Sequence, residues 1–569
     1  MADTPAPSGY DTYTSPLASR NASPEMLKIW SPRHKFNTWR RIWLAIAEAQ
    51  HEVTKDWGSD DASSSRAPRV SGGSTGDGGP PAHAGGSSRQ GPLVTKEQVE
   101  ELRAVVERGI TDEELARASE IERDLRHDVM AHVHCLGESC PTAKPIIHLG
   151  CTSQDVVCNA DWDFVDQSAG IIEKKLAAVV SVLTDTAIAH RKTPTLGFTH
   201  YQAAQPVTVG RRCAGWAYEL WITMKPLDTA RICNRPRGIR GATGTCASIM
   251  KLFNSEPEYG VYDDFKPGWK SDYATGGMTK EDARLAEERY ENRVGNHLDW
   301  ECWNNEYDVA GYYEATHRLT GQTYPRVADA IMLSSLASIA AVLHKIATDI
   351  RLLSNRKEID EPFGKNQIGS SAMPYKRNPM KCERICGLTR FVMNLVGNAY
   401  DTAATQWLER TLDDSSNRRL SLPEAFLALD GALDLMHQVA SGLVVNEAMV
   451  RKNLMTELPF LATENILMEA VKAGGDRQDL HEKIRVHAQA AGHRVKQEGL
   501  DNDLIDRLRS DPAFASVAHL LTEDELLDPM KYVGRSVEQT ERFLAEVVEP
   551  LRERYADELA GLGGSDRGV

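Results

Sequence analysis

The segment Ile368-Gly-Ser-Ser-Ala-Met-Pro-Tyr-Lys-Arg-Asn-Pro379 holds the residue types that acid–base chemistry needs. Glycine, two serines and two prolines make it a poor helix, so it reads as a loop. Lys376, Arg377, Lys381 and Arg384 make it locally basic, and its small residues leave backbone N–H groups free to face an anion. A hydroxyl set among such cations and amides can act as nucleophile or base while the cations stabilise developing negative charge. The bland alternative is an ordinary solvated loop between helices, and composition alone does not separate the two.

Three further clusters carry similar promise. In Arg126-His-Asp-Val-Met-Ala-His-Val-His134, a helix would put Asp128 and His132 on one face at i, i+4 and His127 near His134 at i, i+7. That pair supplies two metal ligands where a catalytic zinc normally has three, so metal binding is the lesser reading. His127 beside Arg126 suits the orientation of an anionic substrate; surface histidines at a polar helix start are the plain alternative. His200 lies in Thr195-Leu-Gly-Phe-Thr-His-Tyr-Gln-Ala-Ala-Gln-Pro206, a Gly/Thr/Pro-punctuated stretch between two long helices. A lone histidine is more often structural than catalytic. In Gln406-Trp-Leu-Glu-Arg-Thr-Leu-Asp-Asp-Ser-Ser-Asn-Arg-Arg419, the forks of Arg410 and Arg419 and the hydroxyl of Ser415 suit phosphate or carboxylate, while Asp413 and Asp414 weaken a pure anion site. No P-loop occurs, and the glycines of residues 237–245 follow no strand pattern, so nucleotide folds of that kind are excluded.

These clusters must be held by helices. Apolar residues recur at helical spacing through 326–353, and further helices are expected at 171–190, 383–402, 422–444, 463–473, 478–497 and 537–555. Alternating strand patterns are hard to find. Helices of this length bury their apolar stripes only by packing side by side, which predicts an extended helical bundle and an all-α fold. Two stretches break the pattern. Residues 58–92 hold 21 Gly, Ser or Pro among 35 positions, with Val70 the one large apolar residue, and read as a disordered insertion. Residues 255–297, mostly polar, read as a surface elaboration.

The 569-residue chain carries 66 Lys+Arg against 81 Asp+Glu, a formal net charge of −15. Such an acidic chain argues against non-specific nucleic-acid binding, which needs a basic face. No stretch reaches the roughly 18 uninterrupted apolar residues of a membrane span. The first residues show no charged, then apolar, export pattern, which predicts a cytoplasmic protein whose ten cysteines, none in a C-x-x-C pair, are mostly reduced, buried thiols.

Together, the blocks become recognisable. Residues 369–379 resemble the signature loop of the fumarase/aspartase superfamily. Ser-Pro-Leu-Ala-Ser-Arg (15–20), residues 126–134 and 195–206, Thr-Gly-Gln-Thr-Tyr-Pro-Arg (320–326), residues 406–419 and Leu-Pro-Phe-Leu-Ala-Thr-Glu-Asn-Ile-Leu-Met (458–468) resemble its adenylosuccinate lyase family, animal and fungal branch. The resemblance runs from about Ser15 to near Pro550.

That resemblance implies a three-domain, nearly all-helical subunit, with boundaries expected at 1–152, 153–445 and 446–569. It implies a homotetramer whose active sites are shared between subunits, needing no metal and no organic cofactor. The implied reaction is β-elimination of fumarate from adenylosuccinate to give AMP. The succinylated aminoimidazole carboxamide ribotide (SAICAR) would likewise give AICAR. Ser370 matches the family's general base and His200 its general acid, oriented by Glu383. Lys376 and Asn378 match the groups that hold the substrate carboxylate, and His127 one that positions substrate. Arg20, Asn21, Arg126, Asp128, Thr152, Ser153, Gln322, Arg384, Arg410, Ser415 and Arg419 carry over as binding positions, with Arg20, Arg410, Ser415 and Arg419 expected on phosphate.

Two positions depart from the family pattern: Asn21 stands where Tyr is usual, and Cys246 where Gln is usual. Neither touches the expected acid or base, so activity with an altered substrate KM is expected. The rival readings are an argininosuccinate-type lyase of the same superfamily, a catalytically inactive helical scaffold, and a metal-dependent hydrolase built on His127, Asp128 and His132.

Overall fold

The structure is a computed structural model that describes residues 13–55, 91–252, 316–317, 319–364, 367–522, 526 and 528–561. The expected disorder of 58–92 and the expected surface segment at 255–297 lie, but for Gly91 and Pro92, outside the described residues.

The fold is mostly α. Shorter helices come first: α1 (Pro24–Ile29), α2 (Pro32–Thr54), α3 (Lys96–Arg108), α4 (Asp112–Leu125) and α5 (Asp128–Ser139). The long ones follow as α6 (Ser153–Ala189), α7 (Val209–Cys233), α8 (the short Ala247–Leu252), α9 (Val327–Asn355), α10 (Met380–Ala404) and α11 (Asp413–Ser441). α6 packs on α7 and α11, α9 on α7, α10 and α11, and α10 on α11. Leu176, Leu220, Leu336, Ile385 and Phe426, one from each long helix, are buried in a single apolar cluster. Side-by-side packing removes these stripes from water, which is the main stabilising term available to helices.

The helix expected at 326–353 is α9, with Arg326 just outside its first turn. α9 is long and apolar enough by composition to cross a membrane, but 56% of its most apolar window is buried inside the protein. The pattern at 171–190 caught only the second half of α6, because that helix is buried on nearly all sides and loses the amphipathic period. α11 starts nine residues before the expected 422, carrying Pro423 inside it.

Beyond the bundle, α12 (Glu447–Leu461), α13 (Thr463–Lys472) and α14 (Arg477–Glu498) lead into a separate apolar cluster that includes Ile466, Leu480, Leu508 and Phe514. The stretch expected as one helix at 537–555 is divided into α15 (Ser536–Phe543), a π-helical turn at Leu544–Val548 and α16 (Glu549–Arg554).

Two antiparallel ribbons were not visible in the sequence pattern. β1 (Pro194–Thr199) pairs with β2 (Gln202–Thr208), and the two-residue β3 (Ile359–Asp360) pairs with β4 (Val444–Val445). β1 is short and interrupted between Thr195 and Gly197, where a Cβ on Gly197 would sit 2.3 Å from the Gln205 carbonyl oxygen. So the segment carrying His200 is a hairpin, not an irregular connection.

Candidate active site

One end of the bundle is where α6 begins. α4 ends at Arg126, left-handed at φ 53°, and exposed. His127 then caps α5: its Nδ1 accepts the Met130 N–H at 3.3 Å, which leaves Nε2 facing the Ser153 hydroxyl at 3.4 Å. Asp128 accepts the Val129 N–H at 2.8 Å and a guanidinium N–H of Arg419 at 2.7 Å. Burial alone would raise the Asp128 carboxyl, but Arg419 and the Val129 amide hold it below its ordinary value. Ser153 is the first residue of α6, where unpaired amides and the helix dipole favour an anion. Thus His127, Asp128, Ser153 and Arg419 meet although they lie up to 292 positions apart in sequence.

Beneath them lies a lattice of buried ion pairs. Asp155, fully enclosed, pairs with Arg237 and accepts the backbone N–H groups of Arg240 at 2.9 Å and Gly241 at 3.1 Å. Arg237 also donates to the Gly321 carbonyl at 2.9 Å, and the Thr152 N–H donates to Asp155 at 2.7 Å. Gly244 lies so close to Thr320 that a Cβ would sit 2.0 Å from its carbonyl oxygen. This hub fastens loop 237–246 and the Gln322 segment to the start of α6.

Next to it, Arg410 donates to Gln322 at 3.0 Å and pairs with Asp414 at 3.4 Å; Arg326 pairs with Asp414 at 2.6 Å. Arg418 binds Asp329 at 2.6 Å and Asp161 at 2.9 Å. Of the groups expected on phosphate, Arg20 and Arg419 are exposed and Ser415 is half-buried, whereas the Arg410 side chain is 13% exposed and already committed to Gln322 and Asp414. Sequence reasoning missed Asp155, Arg237 and Asp414; the acidic Asp413–Asp414 pair counted against the site, yet Asp414 is what holds Arg410.

Arg20 sits on a π-helical turn, Leu17–Asn21, laid on α11. Asp430 of α11 accepts the Ser23 N–H at 2.6 Å and pairs with buried Lys175, which seats that turn. The Asn21 amide donates to the Pro16 carbonyl at 2.8 Å, inside its own turn.

His132, expected on the face of Asp128, instead stacks on Phe36 with ring centroids 3.6 Å apart. Burial, reinforced by Arg40 and Lys35, lowers its pKa to about 4. His127, Asp128 and His132 therefore do not converge as ligands, and no group of three or more His, Cys, Asp or Glu able to hold a metal occurs among the described residues.

The other end of the bundle carries His200 and the loop at 367–379. His200 and Tyr201 form the exposed tip of the β1–β2 hairpin, and His200 makes no hydrogen bond among the described residues. In the loop, the Ser370 hydroxyl accepts the Met373 N–H at 3.2 Å and the Asn378 amide donates to the Gly369 carbonyl at 2.8 Å. The loop runs into α10, whose first amides are held by buried Glu361, accepting from Lys381 N–H at 3.1 Å and Cys382 N–H at 2.9 Å. Lys376 and Glu383 are exposed and Arg384 half-buried. Beside the hairpin, a cleft of about 700 Å³ is lined by Phe198, Tyr201, Arg212, Trp216, Leu352 and Tyr532, among others.

α6 separates the two ends. Its 37 residues span about 55 Å at 1.5 Å per residue. Within one chain no hydrogen bond or ion pair joins His200 to Glu383 or Ser370, and the His127 group lies a helix length from the hairpin.

Comparison with known proteins fits this geometry. Residues 459–543 match the family described as adenylosuccinate lyase C-terminus, and residues 92–262 and 293–394 match the family described as lyase. The chain is 41% identical over 557 residues to the adenylosuccinate lyase of Saccharomyces cerevisiae, covering 97% of this chain and 99% of that one. It is 40% identical over 559 residues to that of Schizosaccharomyces pombe, again 97% and 99%. Among solved structures, a fumarate lyase from Mesorhizobium superposes with a TM-score of 0.68 at 19% identity, covering 93% of this chain and 99% of the other. A 3-carboxy-cis,cis-muconate lactonizing enzyme from Pseudomonas putida gives 0.67 at 21%, covering 94% and 98%. The chain belongs to the adenylosuccinate lyase family, carbon–nitrogen lyases of the fumarase/aspartase superfamily.

Proposed function

We propose how this chain performs the family's reaction, elimination of fumarate from adenylosuccinate to give AMP and from SAICAR to give AICAR. Elimination requires loss of a proton from the carbon beside a carboxylate, which builds a doubly negative aci-carboxylate. Ser370 takes that proton. A serine is a weak base unless its alkoxide is stabilised, and the Met373 amide already directs its N–H at the hydroxyl oxygen. Lys376 and Asn378 hold the carboxylate as charge grows. His200 protonates the departing nitrogen, as a positioned imidazole can, and Glu383 orients it. His127, Ser153 and Arg419 receive the anionic substrate, with Arg20, Arg126, Thr152, Ser415 and Arg384 completing the binding shell. Arg410 and Asp128 shape that shell from behind. No step in this scheme calls for a metal or an organic cofactor.

One observation carries the architecture: the binding end and the acid–base end of a single chain stand about 55 Å apart, a helix length. A working site therefore takes its two halves from different copies, in a homotetramer built on the bundle. Exposed Tyr218, Trp221 and Ile222 on α7, Val327 on α9 and Tyr400 on α10 supply apolar surface for that contact. Of the two domain boundaries, the one at 445/446 is supported by the separate apolar core around Ile466, Leu480 and Phe514, whereas the one at 152/153 rests on the family resemblance, since residues on both its sides share one apolar cluster. A cytoplasmic location is supported by the thiols: the described cysteines are free.

The test is spectroscopic. Purified protein mixed with adenylosuccinate should convert its ultraviolet spectrum to that of AMP and fumarate, and no change with either succinyl-purine would overturn the reading. Mixing inactive His127→Ala (binding end) and Ser370→Ala (acid–base end) proteins, then letting subunits exchange, should restore part of the activity. Failure to recover any, with exchange demonstrated, would place both groups in one subunit.

A further inference from the structure

The hairpin tip has an unusual backbone. Thr199 pairs with Gln202, so His200 and Tyr201 are the two central residues of the turn, and both have positive φ, 53° and 57°. A tight turn with two positive φ values matches the twist of the flanking strands and is normally made by Asn-Gly or Gly-Gly. Histidine tolerates the left-handed region moderately, and a bulky aromatic residue poorly. Such a conformation persists only where the surroundings over-determine it, and it collects at sites where direction matters.

The surroundings are visible. The Tyr201 ring lies against Phe198, centroids 5.8 Å apart. The guanidinium of Arg356, at the end of α9, stands 4.7 Å from the Phe198 ring centre, and that of Arg212 on α7 stands 5.9 Å from it. Both arginines are fixed in turn. Arg356 pairs at 3.0 Å with Glu358, itself 1% exposed, and Arg212 donates to the Leu196 carbonyl of β1 at 2.5 Å. A chain of contacts thus runs from two bundle helices through Phe198 to Tyr201. His200, one residue away, has no hydrogen bond among the described residues to set its direction.

We propose that Tyr201 is the positioning residue for His200. Its ring, tilted against the Phe198–Arg356 platform, holds the turn left-handed and aims the imidazole away from the hairpin toward the substrate nitrogen. This rests on His200 being the general acid. The ring, not the phenol hydroxyl, does the holding, since the structure gives that hydroxyl no hydrogen bond among the described residues.

The test uses the full-length enzyme. Tyr201→Asn keeps a residue that tolerates the left-handed region and removes the ring. It should fold with an unchanged melting temperature, lose about tenfold or more in kcat, and keep KM for adenylosuccinate within about twofold, as a misaimed proton donor would. Tyr201→Phe should retain kcat within about twofold. In a His200→Ala background, Tyr201→Asn should cost little more, because its effect passes through the imidazole. Unchanged kcat in Tyr201→Asn, an equal loss in Tyr201→Phe, or an undiminished loss in the His200→Ala background would each overturn the proposal. Full turnover in His200→Ala alone would instead remove the acid assignment on which it stands, a separate and recognisable outcome.

Discussion

The two ends of the bundle solve opposite problems. At the start of α6, charged side chains are held by other charged side chains: Asp155 on Arg237, Asp414 on Arg326 and Arg410, Asp128 on Arg419. At the far end, Ser370, Lys376, His200 and Glu383 stand on a loop, a hairpin tip and a helix start, with almost no side-chain partners among the described residues of the same chain. Static recognition of phosphate and carboxylate benefits from a lattice that cannot relax, because preorganised dipoles need no reorganisation when the ligand arrives. Proton transfer needs groups left free to meet the substrate, with their final geometry set by the assembled site. The difference predicts that changes at one end act on rate and at the other on stability and affinity.

The largest effect belongs to the loop. Ser370→Ala should lower kcat by about 10³-fold or more, while its melting temperature stays within about 2 °C of wild type, since the hydroxyl bonds only to an exposed amide among the described residues. Stopped assays over hours, with calorimetry on the same samples, check both halves. A large drop in stability without loss of rate would erase the contrast between the ends.

Asp155→Ala attacks the lattice. Removing one partner of a fully buried pair strands the Arg237 guanidinium and frees the Arg240 and Gly241 amides. The expected cost is about 3–5 kcal/mol, seen as a lower denaturant midpoint. Stability unchanged within about 1 kcal/mol would mean that the hub is not what fastens loop 237–246.

Arg419→Gln probes the same end more gently. Arg419 is more than half exposed, so its loss should leave the fold intact, raise KM by about tenfold to thirtyfold for the loss of a charge-assisted hydrogen bond, and change kcat by less than about threefold. Steady-state kinetics separates the two. A fall confined to kcat would place Arg419 in the chemistry and blur the division.

The sequence exposed these two ends unequally. The loop and the turn that carry Ser370, Lys376 and His200 were legible because glycine, proline and serine mark them locally, within a dozen residues, while the roles expected of those residues came from the family resemblance. α9 was legible because a half-buried helix shows its period over each turn. α6 was half lost: burial around its whole circumference turns the pattern from Ser153 to Ile171 into a run without a face. The ion-pair lattice was not legible at all. Asp155 and Arg237 are 82 residues apart, and nothing in either local sequence marks one as the other's partner. The hairpin escaped because β1 is short and broken at Gly197, too little alternation to rise above its neighbours. Signals carried by local spacing were readable; signals created by packing distant segments were not.

The smallest predicted effect separates the ends by pH. His132 lies on the buried face of α5, the helix that begins at Asp128, against Phe36 and Trp39. Burial, helped by Arg40 and Lys35 and opposed by Asp128, lowers its folded pKa from the ordinary 6.5 to about 4. Between those values the unfolded chain binds a proton that the folded chain refuses. Stability contributed by neutral His132 is therefore complete above about pH 6.5 and lost as pH falls toward 4. From about pH 7 to about 5.5 this amounts to about 1 kcal/mol. His132→Leu should flatten the acid side of the stability curve by that amount, measured as denaturant midpoints at the two pH values. It should leave the pH profile of kcat in place, because the proposed acid, His200, stands at the opposite end of the bundle. A variant that shifted the rate profile while keeping the wild-type slope in stability would show the two ends to be coupled through α6 rather than independent.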